Sequence, residues 1–137
     1  MDSACEVVII DLPPRLHEIS RAALVFSDLV IIPISGSAPE IWAAQDMLGL
    51  INEARGKAPD LKCRLIWNRY RHSKTAEATA EAINEQLGIP RFNTTLGSRT
   101  AYSEAIGRGL TVHEWSDQKA KTEMQSLVSE IRNEVQL

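Results

Sequence analysis

Val7-Val8-Ile9-Ile10-Asp11-Leu12-Pro13-Pro14 is the stretch on which the fold reading turns. Its first four residues are all β-branched, and the run is too short for a helix. An apolar run without alternation suits a strand covered on both faces, as in a parallel sheet flanked by helices. Pro13 and Pro14 stop the ladder, because proline has no N–H to donate. Asp11 then stands at the carboxyl end of the strand, where a ligand crevice forms in open α/β sheets. A turn-forming aspartate ahead of prolines would have the same sequence.

Outward from this stretch, strand-like and helix-like patterns alternate. Leu16, Ile19, Ala23 and Phe26 are spaced for a short amphipathic helix with these side chains inward. Leu29–Ile32 is a second strand, closed by Pro33. Ser37 and Glu40 form a capping-box pattern that opens a helix with Ile41, Ala44, Met47, Leu48 and Ile51 inward, ended by Gly56 and Pro59. A third strand is expected at Cys63–Trp67. Ser73 caps a helix buried through Ala76, Ala80, Ile83 and Leu87, which Gly88 and Pro90 end. A short strand near Arg91–Thr94 and a brief helix at Thr100–Ile106 follow. The last helix runs from about Asp117 to Val135, with Ala120, Met124, Leu127, Val128, Ile131 and Val135 inward. The expected fold is α/β: one domain, residues 1–137, with a mostly parallel sheet of about four strands flanked by helices.

Composition narrows the function classes. The net charge of −3 gives no global attraction to nucleic acid or anionic lipid, so any DNA contact must come from a local basic patch. Cys5 and Cys63 fit neither a metal-ligand spacing nor a disulfide framework, and read as reduced thiols in a cytoplasmic protein. No apolar stretch reaches the length of a membrane span, and Asp2 and Glu6 argue against a secretory signal.

Four segments, in order, resemble the ParA/MinD family of deviant P-loop ATPases. Val7–Pro14 resembles the family's Walker B strand and turn. Ser27-Asp28-Leu29-Val30-Ile31-Ile32-Pro33 resembles its next marker, a small residue and Asp before an apolar strand ending in Pro. Trp67-Asn68-Arg69 resembles the strand end that places an Asn near adenine. The segment from Arg99 through Glu104-Ala105 to Gly109 and Val112 resembles its late Arg, Glu-Ala, Gly segment. The resemblance implies a truncated P-loop NTPase fold and a role in ATP-dependent partition of plasmids or chromosomes. ATP and Mg²⁺ are the implied cofactors of the full-length protein: Asp11 would hold the Mg²⁺ water shell, Asn68 would read the base, and Arg69 would lie over it. It further implies an ATP-joined dimer, non-specific DNA as ligand, a partner partition protein, and Arg99 as a DNA contact.

The departure from the family matters as much. Its glycine-lysine phosphate loop is absent from these 137 residues, as is the Asp-rich segment that serves the attacking water. The chain alone is therefore expected neither to hydrolyse ATP nor to retain it. Met1 so close to the Walker B strand points to a truncated reading frame or an expression fragment. In the family, the P-loop strand lies between the Walker B strand and the next one. Its loss would leave a gap of about 10 Å between Val7–Ile10 and Leu29–Ile32, twice the interstrand spacing. Direct pairing of the two strands, pairing of the Walker B strand with its copy in a second chain, or a swap of the first unit between subunits would each close it, and the edges so exposed favour a homo-oligomer.

The residues themselves leave alternatives open. Asn68 carries both donor and acceptor for a base, yet is also a common turn former. Lys62, Arg64, Arg69, Arg71 and Lys74 have no acid among them, and the loop members Arg71 and Lys74 are candidates for DNA phosphates or a solvated loop. Arg99 is a DNA candidate or a helix-start residue paired with Glu104. Trp42, Trp67 and Trp115 read as core or half-buried anchors, and His17 and His113 have no metal or triad pattern. A nucleotide-independent interaction module is one rival reading. A MinD-like membrane-cycling ATPase is another, disfavoured because Glu123, Glu130 and Glu134 balance Lys119, Lys121 and Arg132 on the last helix.

Overall fold

The computed structural model describes residues 7–12 and 17–137. Helix α1 (His17–Val25) leads into strand β1 (Leu29–Ile34), helix α2 (Ala38–Arg55), strand β2 (Lys62–Tyr70), helix α3 (Lys74–Leu87) and strand β3 (Arg91–Gly97). Helix α4 (Thr100–Gly107), a 3-10 turn (Val112–Glu114) and helix α5 (Gln118–Val135) complete the order. The sheet is parallel, in the order β1-β2-β3.

Alternation along β2 builds two core layers. Cys63, Leu65 and Trp67 face the larger one, with Ile32 and Ile34 of β1, Leu50, Ile51 and Ala54 of α2, and Ile83 and Leu87 of α3. Ile66 faces the other way, onto Phe92 and Leu127 of α5. Burying each such aliphatic side chain contributes about 1.5–3 kcal/mol. Asp117 and Ser73 cap their helices, each accepting the N–H three residues on (3.0 and 3.1 Å).

The sheet has three strands among the described residues, where four were expected. Val7–Ile10 is the run left out: its residues are 50, 74, 89 and 50% exposed in sequence order and form no strand. A four-residue run gains few ladder bonds, and its β-branched side chains favour a sheet only where both faces are covered. Ladder geometry shows what β1 leaves open. The Lys62 N–H donates to the Asp28 carbonyl (3.1 Å), and Leu29 pairs with Lys62. In a parallel ladder the even-numbered residues of β1 therefore bond β2, and Leu29, Ile31 and Pro33 turn their backbone groups outward. Pro33 lies inside the strand instead of closing it, at no hydrogen-bond cost, because its missing N–H faces the open edge.

Other inward assignments also shift. In α1 the buried residues are Ser20 and Leu24, whereas Ile19 is 52% exposed and Phe26, just past the helix, 85%. Val128 and Trp42 face solvent; Trp67 is buried, and Trp115 is half-buried under the Arg108 guanidinium, 5.0 Å from the ring centre. Cys63 is buried and reduced, and burial pushes its thiol pKa up; Cys5 lies outside the described residues. No described helix is long and apolar enough to cross a membrane.

Candidate functional site

The turns that leave β1, β2 and β3 share the carboxyl edge of the sheet, where ligands of parallel α/β folds bind. After β1 comes Ser35-Gly36-Ser37. Gly36 has φ +90, and a Cβ there would stand 3.0 Å from Cζ3 of Trp67. Only glycine meets both demands, so the turn lies directly on the indole.

Glu40, in the first turn of α2, joins this turn to the next. Its Oε2 accepts the Ser35 N–H (2.7 Å) and the Ser35 hydroxyl, and its Oε1 accepts from Nη2 of Arg69 (2.9 Å). The expected capping box does not form as drawn: the Ser37 side chain makes no cap bond, and Glu40 reaches past it to Ser35. The Ser35 hydroxyl is the main reason the Glu40 carboxyl is held below its usual range, against the opposing effect of burial.

The end of β2 carries a bulge. Trp67 pairs with Thr95 and Tyr70 with Gly97, so three steps on β2 meet two on β3. Arg69 absorbs the extra residue at φ +54, a left-handed conformation unusual for a residue with a Cβ. Its N–H donates to Oδ1 of Asn68 (3.0 Å). Without the bulge, strict alternation would send Tyr70 to the face of Ile66. With it, Tyr70 joins Trp67 in the larger core, their ring centres 5.8 Å apart and edge-on. Tyr70 in turn meets His72 edge-on at 4.8 Å. Trp67 Nε1 is buried without a hydrogen-bond partner.

The end of β3 is built around Glu123 of α5. Arg99 contacts its carboxylate through Nη2 (2.6 Å to Oε1) and Nε (3.1 Å to each oxygen), the Gly97 N–H donates to it (3.0 Å), and so does the Tyr102 hydroxyl (3.1 Å). Burial pushes the Glu123 carboxyl up, and these donors, Arg99 foremost, more than offset it, so its pKa falls below the usual range. Burial first, and then the bond to Glu123, push the Tyr102 phenol well above its ordinary value. About two turns further along the same face of α5, Glu130 accepts the N–H groups of Asn93 and Thr94 (2.7 Å each), beside a second irregularity in the β2–β3 register.

The expected site residues are thus only partly brought together. Asn68 and Arg69 sit on the β2 bulge, and exposed Arg71 and Lys74 follow on the same turn. The Ser98 N–H donates to the Tyr70 carbonyl (2.9 Å), which sets Arg99 beside that turn. Arg99 pairs with Glu123, not with Glu104, and lines a shallow cleft of about 480 Å³ with Thr94, Thr95, Lys119 and Thr122. Asp11 is exposed and follows the run that lies outside the sheet. The Arg69 guanidinium pairs with Glu40 (2.9 Å). Sequence reasoning missed Glu40 as a link between turns and Glu123 as a hub. A Ser-x-x-Glu spacing marks the first only as a cap, and the second acts on residues 21 to 26 positions away.

No family model matches the chain. The chain is similar to the maintenance of carboxysome distribution protein A of Halothiobacillus neapolitanus, with 26% identity over 129 residues. The match covers 92% of this chain and 60% of that protein, so the chain spans about 60% of its relative's length. The likeness supports a ParA-like family and nothing finer.

Proposed function

We propose that the chain is part of a ParA-like positioning ATPase and supplies the base side and the DNA side of its site. The observation that carries this is the Asn68–Arg69 bulge at the carboxyl edge of a parallel sheet, clamped to the neighbouring turn by Glu40. Bulges and left-handed non-glycine residues concentrate next to functional sites. Asn68 is half-buried there, and its Oδ1 is engaged by Arg69, which leaves its amide NH₂ to donate to a base. The fit is to the base and not to the phosphates, for which the 137 residues hold no glycine-lysine cradle. In the whole protein, ATP and Mg²⁺ would support phosphoryl transfer to water, which depends on positioning and charge stabilisation. Asp11 would order the metal's water shell, a role that rests on the resemblance. Exposed Arg71 and Lys74, with Arg99 nearby, suit DNA phosphates without reading sequence. A partner partition protein would stimulate turnover. The test is a chimera that joins the P-loop segment of the carboxysome-distribution relative ahead of residue 7. ATP turnover that disappears with Asp11→Ala is expected; a folded chimera that binds no nucleotide would contradict the reading.

One observation favours a second reading, a module that pairs with another copy. The outward backbone groups of Leu29 and Ile31 lie on an uncharged strand edge, and the same chain exposes apolar Val8–Ile10. Open apolar edges are templates for pairing between chains.

A further inference from the structure

We infer that Glu40 is a positioning residue: it holds the β2 bulge in the conformation that presents Asn68 to a base. The inference deepens the proposed function and rests on it. Arg69 is held at φ +54, a conformation whose cost to an L-residue must be met by its surroundings. Three contacts meet it. Tyr70 is carried into the core beside Trp67, the Asn68 Oδ1 takes the Arg69 N–H, and Glu40 holds the guanidinium at 2.9 Å. The first two are consequences of the bulge itself. Glu40 is the contact from outside β2 that reaches the Arg69 side chain, and its second oxygen is anchored on Ser35 just after β1. It therefore fixes the bulge relative to the neighbouring turn as well as within its strand. If that grip is lost, Arg69 can relax toward φ below zero, and the Asn68 amide turns with it, because the Arg69 N–H and the Asn68 side chain form one local ring.

The experiment follows the Asn68 side-chain amide and the Arg69 backbone amide by ¹⁵N NMR, in the 137-residue chain titrated with adenosine and, separately, guanosine. Wild type should prefer adenosine. Glu40→Gln keeps the shape and removes the charge; it should drop the adenosine-to-guanosine affinity ratio toward one, a loss of about fivefold or more, typical of coupled sites. Glu53→Gln, which alters an exposed α2 acid paired with Arg21, should leave the ratio unchanged. Arg69→Gly in the Glu40→Gln background should restore the preference, since glycine adopts positive φ without help. That rescue separates positioning from mere stability, because glycine adds no contact. If wild type discriminates and Glu40→Gln discriminates equally, or if glycine fails to rescue a folded double variant, the inference about Glu40 is overturned and the proposed function stands. If neither nucleoside moves the Asn68 amide in wild type, base recognition itself fails, and the role of Glu40 falls with it.

Discussion

Arg99 is committed to Glu123: its Nη2 stands 2.6 Å from Oε1, and both side chains are mostly buried, at 27 and 17% exposure. The pair closes the carboxyl end of β3, because the same carboxylate also takes the Gly97 N–H. Glu123→Gln should therefore cost about 1.5–3 kcal/mol, the worth of hydrogen bonds to a charged group. Urea unfolding of the two proteins checks this, and a change below a few tenths of a kcal/mol would show the pair to be ornamental.

The same pair bears on DNA. Binding by this chain should be weak, salt-sensitive and indifferent to sequence. Neutralising Arg71 or Lys74 should each shallow the log–log salt slope on duplex DNA by about 0.9. Arg99→Ala should matter less in wild type, whose Glu123 neutralises it, and more in Glu123→Gln, which frees it. Mobility shifts at several salt concentrations measure all three. Slopes unaltered in Arg71→Ala and Lys74→Ala would remove the β2–α3 turn from the interface.

Acid should unfold the chain through three clamps. Glu40, Glu123 and Glu130 are all held below the ordinary 4.5. The Ser35 hydroxyl does this for Glu40. Burial opposes the shift at all three, and at the other two it is outweighed by Arg99 at Glu123 and by the Thr94 hydroxyl and neighbouring N–H groups at Glu130. A carboxyl with a depressed folded-state pKa adds stability above its unfolded value and loses it as pH falls through the folded value. Stability should accordingly be full above about pH 5 and decline below about pH 4.5. Glu130→Gln should flatten that decline in a pH series of urea melts; an unchanged slope would show that Glu130 is not part of it.

Among the described residues β1 is an edge strand, and this predicts concentration-dependent association. Ile31 turns its backbone outward and is 36% exposed, so Ile31→Lys places a charge on the edge and leaves the bonds to β2 intact. Light scattering across a wide dilution range should show wild type associating and Ile31→Lys monomeric. A monodisperse wild-type monomer at high concentration would contradict pairing through this edge.

The apolar runs of β1 and β2 and the Ser73 and Gly88 ends of α3 are local, and they were legible. Val7–Ile10 is as apolar and β-branched as the Val30–Ile32 run of β1 yet lies outside the sheet. A run's composition shows what it could pair with, not whether a neighbour is there. The β2 bulge was invisible because nothing about arginine signals a positive φ, and the contacts that accompany it, Tyr70 in the core and Arg69 on Glu40, are tertiary. Glu40 itself fitted a common local motif, and its true acceptor role differs by two residues. Glu123 and Glu130 work across 21 to 37 positions, a range no local pattern reaches.

The proposed base site without a phosphate cradle has a direct consequence for nucleotide affinity. Calorimetric titration of the 137-residue chain with Mg-ATP, paired with a phosphate-release assay, tests it most directly. No turnover is expected, and an affinity no tighter than about millimolar, worth about −4 kcal/mol. Micromolar binding, or turnover that Asp11→Ala abolishes, would contradict it.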